Sequence, residues 1–246
     1  HLLIHADGQE VYAPNPADKI LTPGNIAFRR QTPYGSSAVK VRLMEDSALF
    51  VQRTETAVRE TLYDFLQSSY TSNGISYRSS HLLTGPRQMC VLHGTSAGPE
   101  QYAFIVQDDG SMAVLSSIRN EKLAGWTPWE VENGDIVSAC STISTLWLLV
   151  KRSVSGSDVY YLEKSNPDIC LDAASKTVIS ADTDMFTGLS HLNGKTVHIV
   201  SGTTYYGTAL VSGGSITLAD SIPVSTGTKD VWIGEAFESE IGRAHV

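Results

Sequence analysis

The feature that most constrains this chain is its punctuation: short apolar or alternating segments recur along it, separated by turn signals. Ala48-Leu49-Phe50-Val51-Gln52-Arg53 is one such segment and Met89-Cys90-Val91-Leu92-His93 another. Tyr102–Gln107, Asp108-Asp109-Gly110 and Ser111–Leu115 spell a hairpin, because Gly supplies the positive φ that a tight turn demands. Thr145–Val150, Ser155-Gly156-Ser157 and Asp158–Glu163 spell a second, and Asn133-Gly134 marks a turn between the two. The fold class expected is all-β with few short helices. Thr54–Tyr70 also admits a helix through Val58, Leu62, Phe65 and Leu66, and Asn73–Leu83 suggests a short helix capped by Asn73 and stopped by Gly85.

The two hairpin units start near Met89 and Ile136, about one propeller blade apart, which favours propeller-like blades over a sandwich. From Ser165 the texture changes to Thr, Ser, Gly and Val, with short strands between Gly202, Gly207 and Gly213-Gly214. The expected organisation is a partial propeller-like β domain over 1–164 and a small β-barrel or sandwich module over 165–237. The module's core is expected to include Val197, Ile199, Leu210, Ile216, Leu218 and Trp232. Residues 240–246, within the 238–246 end, resemble the in-frame translation of a sequencing adapter. That end is expected to be a non-native tail on an environmental reading frame cut at both ends.

At 246 residues and 41% hydrophobic, the chain is long enough to bury a proper core. No apolar run approaches the roughly 20 residues of a membrane span; Leu146–Val150 is the densest. A net charge of -8 argues against a surface that grips nucleic-acid phosphates. Three cysteines, Cys90, Cys140 and Cys170, lack metal-ligand spacing and are expected to be buried free thiols in a reducing compartment.

Each catalytic lure has a plainer explanation. Gly94-Thr95-Ser96-Ala97-Gly98 matches G-x-S-x-G, but Pro99 and the strand from Tyr102 leave no room for the helix that a nucleophile elbow needs. His81, His93, His191 and His198 show no ligand pairing. Asp108-Asp109 and Asp182-Thr183-Asp184 suit turns better than a sialidase Asp-box or a calcium loop. Trp126 and Trp129, around Pro128, suggest a core cap or subunit contact ahead of a sugar platform. No catalytic, cofactor-binding or metal-binding residue is expected, and the chain is not expected to be an enzyme.

Taken in order, several stretches resemble the tail nozzle (tail tubular protein B) family of short-tailed phages and prophages. Pro33-Tyr34-Gly35-Ser36, Ala48–Arg53, Val58-Arg59-Glu60, Tyr63-Asp64-Phe65 and Ser80–Gly85 carry the first half of it. Asp109–Met112, Gly125-Trp126, Leu146–Arg152, Tyr161-Leu162-Glu163, Gly188–Val197, Gly214–Leu218 and Val231–Gly234 carry the rest. The chain departs from the family pattern at Asn73-Gly74, where an Asp ordinarily opens a short helix. The resemblance implies a structural ring component of the virion tail, plausibly a hexamer, assembled in the bacterial host cytoplasm. It implies self-association, a tail adaptor partner, and DNA passing through the lumen without specific binding. The competing expectation is a tail-associated protein that binds or cleaves glycans, with Trp126 and Trp129 as its candidates.

Overall fold

The computed structural model describes residues 2–14, 20, 22–94, 98 and 100–236. Ser96 and the 238–246 tail lie outside them. The described chain is overwhelmingly β, and its strands pair antiparallel in six sheets. No helix among the described residues is long and apolar enough to cross a membrane. The chain divides into two compact units, 1–130 with 135–149 and 131–134 with 150–246.

In the first unit the strands follow one another in sequence order. β1 (Leu2–His5), β2 (Glu10–Ala13) and β3 (Arg29–Thr32) form one sheet. β4 (Arg42–Met44), β5 (Ser47–Val51), β6 (Val58–Asp64) and β7 (Ser69–Gly74) form a four-stranded meander. β8 (Pro86–Leu92), β9 (Gln101–Gln107), β10 (Met112–Ile118) and β11 (Leu123–Trp129) form a second. Leu49, Val51 and Val58 of the first meander share one core with Met89, Ile105 and Leu115 of the second. Arg119, just past β10, fastens the two by donating to Glu45 (2.6 Å), Glu60 (2.9 Å) and the Ser47 hydroxyl (3.1 Å). β12 (Gly134–Ser141), β13 (Leu146–Val154) and β14 (Ser157–Lys164) form a three-stranded sheet in that order. The division between the units falls inside β13, after Leu149.

Local chemistry accounts for the turns. At the tip of β9 and β10, the Gln107 N–H donates to Ser111 O (3.0 Å) and Gly110 takes φ +85°. A side chain at Gly110 would also strike Asp135, because Ile136 N–H donates to the Gly110 carbonyl at 2.8 Å. Ser155 (φ 51°) and Gly156 (φ 81°) make a two-residue turn with both residues left-handed, the type I′ geometry that matches strand twist.

One helical expectation fails and the other is met only by a shorter 3-10 helix, for identifiable reasons. Thr54–Tyr70 becomes β6, a turn and the start of β7. The Asp64 carboxylate accepts the N–H groups of Leu66 (2.8 Å) and Gln67 (3.2 Å), which turns the chain. Phe65 and Leu66, which completed the helical period, are left exposed on that turn. Asn73 and Gly74 end β7, and only a 3-10 helix follows at Tyr77–Leu82, preceded by Ser76 rather than Asn73.

The second unit is built differently. β15 (Asp172–Ile179), β17 (Thr196–Ser201), β18 (Thr204–Leu210) and β20 (Lys229–Glu235) pair in the order β15-β20-β17-β18, while β16 (Thr183–Thr187) pairs with β19 (Ser215–Ile222). Phe186 and Ile216 from the smaller sheet meet Val197, Ile199, Val231 and Ile233 from the larger in one core. No closed barrel forms among the described residues. Val197, Ile199 and Ile216 sit in the core as expected and Leu218 packs on its rim, but Leu210 is 63% exposed. Trp232 faces outward beneath Lys176, whose ammonium lies 5.7 Å from its ring centre. The reason is period: Trp232 falls between Val231 and Ile233, so the pleat turns it to the other face. Gly207 does not end a strand but sits within β18 at φ +98°, opposite a register shift between His198 and Val200.

The cysteine expectation holds for Cys90 alone. Cys140 and Cys170 are exposed.

Candidate functional site

The polar and aromatic residues singled out by sequence do not converge on one place. β8 ends at Leu92 and the next strand, its antiparallel neighbour β9, begins at Gln101; Thr95, Ser96 and Ala97 of the G-x-S-x-G motif lie outside the described residues. A depression of about 170 Å3 lies there, lined by His93, Glu100, Tyr102 and Ser144 among others. His93 Nδ1 is 3.1 Å from the Gln101 side-chain oxygen, which holds the ring to the strand beside it.

Asp109 is a turn brace. Its carboxylate accepts the Ser111 N–H (2.9 Å), the Ser111 hydroxyl (2.6 Å) and the Thr84 hydroxyl (2.6 Å). The Ser111 and Thr84 hydroxyls hold its pKa below the usual carboxylate value. Asp108 pairs with Arg87 at the surface. Asp182 accepts the Val224 N–H at 2.8 Å, again a loop contact. No group of three or more His, Cys, Asp or Glu able to hold a metal occurs among the described residues.

Trp126 and Trp129 both lie on β11, three residues apart, and a strand alternates its faces every residue. They therefore point to opposite sides. Trp126 packs on the core and donates its indole N–H to the Ile75 carbonyl at 2.9 Å. Trp129 meets Phe104 edge-on at 6.2 Å. Two rings on opposite faces make no single sugar platform.

The densest electrostatic arrangement belongs to the second unit and was not anticipated. Along β13 the buried residues Leu146, Leu148 and Val150 recur every second position, and the next in phase is Arg152. Its side chain is 4% exposed. It donates in a fork to Glu163 (2.6 and 2.8 Å), to Asp172 (2.9 and 3.2 Å) and to the Glu132 carbonyl (2.5 Å). Burial alone would lower the guanidinium pKa, but the Glu163 and Asp172 carboxylates outweigh it and raise it. Asp172 also accepts the Glu132 N–H (2.7 Å), and Asn133 donates to Glu235 (3.0 Å). Burial raises the Glu235 pKa, and the nearby Asp172 and Glu132 carboxylates add to this against the opposing Lys195 and Arg152 charges. The network ties the end of β13, β14, the start of β15 and the end of β20 into one polar knot. An Arg at a core-phase position is the sequence signal that would have revealed it.

The first unit contains a contrasting polar pocket. Glu10 is fully buried, and one of its carboxylate oxygens accepts the Thr32 hydroxyl. Its other oxygen and both ring nitrogens of its cross-strand neighbour His5 have no hydrogen-bond partner among the described residues. Burial pushes the His5 pKa down to about 4.

No family model matches the chain, and no curated protein matches it.

Proposed function

We propose that this chain is a structural part of a phage tail nozzle, a non-enzymatic component that assembles with copies of itself into a ring through which DNA is ejected. The observation that carries this reading is the run of sequence-ordered antiparallel meanders in the first unit, sharing cores and fastened by Arg119. Successive sheets of this kind suit the propeller-like body that the family resemblance implies. The use of the striking side chains is a second support. Asp109, Trp126 and Arg152 each spend their hydrogen-bonding capacity on bracing turns, cores and strand ends. The net charge of -8 suits a channel wall from which DNA is repelled rather than held.

Heterologous contacts that close by rotation generate rings. Electron microscopy of the full-length protein mixed with its tail adaptor is therefore expected to give closed rings, six-fold in the simplest case. A monodisperse monomer that never joins a tail, together with specific binding or cleavage of a surface glycan, would overturn the assignment in favour of a glycan-directed tail protein.

A further inference from the structure

We propose that Cys90 and Cys140 are a built disulfide pair, which closes reversibly in oxidising surroundings and bolts β8 to β12 within the first unit. The inference does not depend on the nozzle reading. Gln88 and Cys90 are two residues apart on β8 and so project from the same face. The Gln88 amide reaches β12, donating to the Ala139 carbonyl (2.8 Å) and accepting from the Ser138 hydroxyl (2.8 Å) and the Ala139 N–H (3.2 Å). Three residues further along each strand, the Ser141 hydroxyl donates to the Val91 carbonyl at 2.6 Å. The two strands are thus pinned at Gln88 with Ser138 and Ala139, and again at Val91 with Ser141. Cys90 and Cys140 occupy the rung between the pins. Cys140 follows Ser138 by two residues, so the two side chains share one face of β12, and the contacts of Ser138 and Ser141 with β8 bracket it. The Ser141 hydroxyl, bonded directly to the Val91 carbonyl, keeps the two backbones close beside the cysteine rung. That is the first requirement of a disulfide, whose Cα atoms must lie within about 7 Å.

The exposures of the two sulfurs suit stepwise closure. Cys140 is exposed and Cys90 is buried. Burial, with a further contribution from the nearby Cys140, pushes the Cys90 thiol up to about 12. Cys90 therefore stays protonated and inert until a partner is in place. With a low-molecular-weight disulfide as oxidant, the Cys140 thiolate attacks one of its sulfurs, forming a mixed disulfide and expelling one small thiolate. Cys90 then loses its proton to solvent, and its sulfur attacks the Cys140 sulfur, expelling the second small thiolate. Two cysteines are oxidised and one small disulfide is reduced to two thiols, so electrons balance. Cys170, exposed in the loop between β14 and β15 of the second unit, serves as the internal control.

The test is oxidation of the intact chain with oxidised glutathione, followed by thiol counting after denaturation, intact mass and peptide mapping without reductant. Accessible thiols are expected to fall from three to one, with a mass loss of about 2 Da, since each thiol gives up one hydrogen. The map should join the peptides carrying Cys90 and Cys140, and the melting temperature should rise by several degrees and return on reduction. Cys140→Ser should abolish the cross-link, while Cys170→Ser should leave it intact. Persistence of all three thiols would overturn the proposal. So would glutathione retained on Cys140 without a cross-link, or equal cross-linking in Cys140→Ser.

Discussion

Two clusters of buried ionisable groups, one in each unit, are handled in opposite ways. In the second, Arg152 is buried with every donor nitrogen engaged and two carboxylates around it. In the first, His5 and Glu10 are neighbours across a strand pair, yet three of their four polar atoms lack partners among the described residues. Topology differs in parallel. The first unit stacks strands in sequence order, whereas the second interleaves them as β15-β20-β17-β18. A non-sequential sheet must close long loops before its strands are rewarded. A knot of charge that joins the start of β15 to the end of β20 helps to fix the register of that pair. The lesson is that a paired buried charge makes a unit sensitive to mutation, while an unpaired one makes it sensitive to pH.

The largest expected effect tests the paired side. Arg152→Ala strands Glu163 and Asp172 without their cation, and breaking such a buried pair costs about 3–5 kcal/mol. Urea unfolding of the variant should show that loss. Arg152→Lys should recover only part of it, because an ammonium cannot reproduce the two forks. A loss below about 1 kcal/mol would mean the network is ornamental and the contrast between the units is wrong.

The unpaired side is tested by acid. His5 has its pKa lowered from 6.5 to about 4 in the folded protein. Between those values the unfolded chain binds the proton more readily, so stability is full above pH 6.5 and declines as pH falls towards 4. The whole shift corresponds to about 3 kcal/mol. His5→Phe should flatten this limb of the stability profile while leaving stability at pH 7 nearly unchanged. An identical acid limb in the variant would assign the sensitivity to other groups.

Smaller effects sharpen the picture of β11 and of the β13–β14 turn. Trp126→Phe removes the hydrogen bond to Ile75 and leaves its carbonyl unpaired, at a cost of about 1–2 kcal/mol. Trp129→Phe should cost less, because the ring is 36% exposed and its contact with Phe104 can persist. A glycan array on both variants would expose the competing function. If either loses specific glycan binding at unchanged melting temperature, the strand carries a sugar contact after all. Gly156→Ala places a Cβ at φ 81° and should cost about 1 kcal/mol, visible as a small shift in melting temperature.

What the sequence determined by itself is the strand-and-turn grammar: the all-β class, the hairpin at Asp108–Gly110, the tight turn at Ser155-Gly156, and the apolar strand at Leu146–Val150. These rest on backbone preferences of one to four adjacent residues, where Gly tolerates positive φ and apolar residues every second position mark a buried face. Its local signals misled where two local rules competed, as at Asp64, whose carboxylate turned a helical period into a hairpin. Only the tertiary structure decided which charges would be buried together, since it brings Arg152, Glu163 and Asp172 of three consecutive strands to Glu235 of β20, far along the chain. It alone put Cys90 beside Cys140 and gave the second unit its crossed strand order. Burial and pairing are properties of distant segments, and no window of adjacent residues contains the partner that decides them.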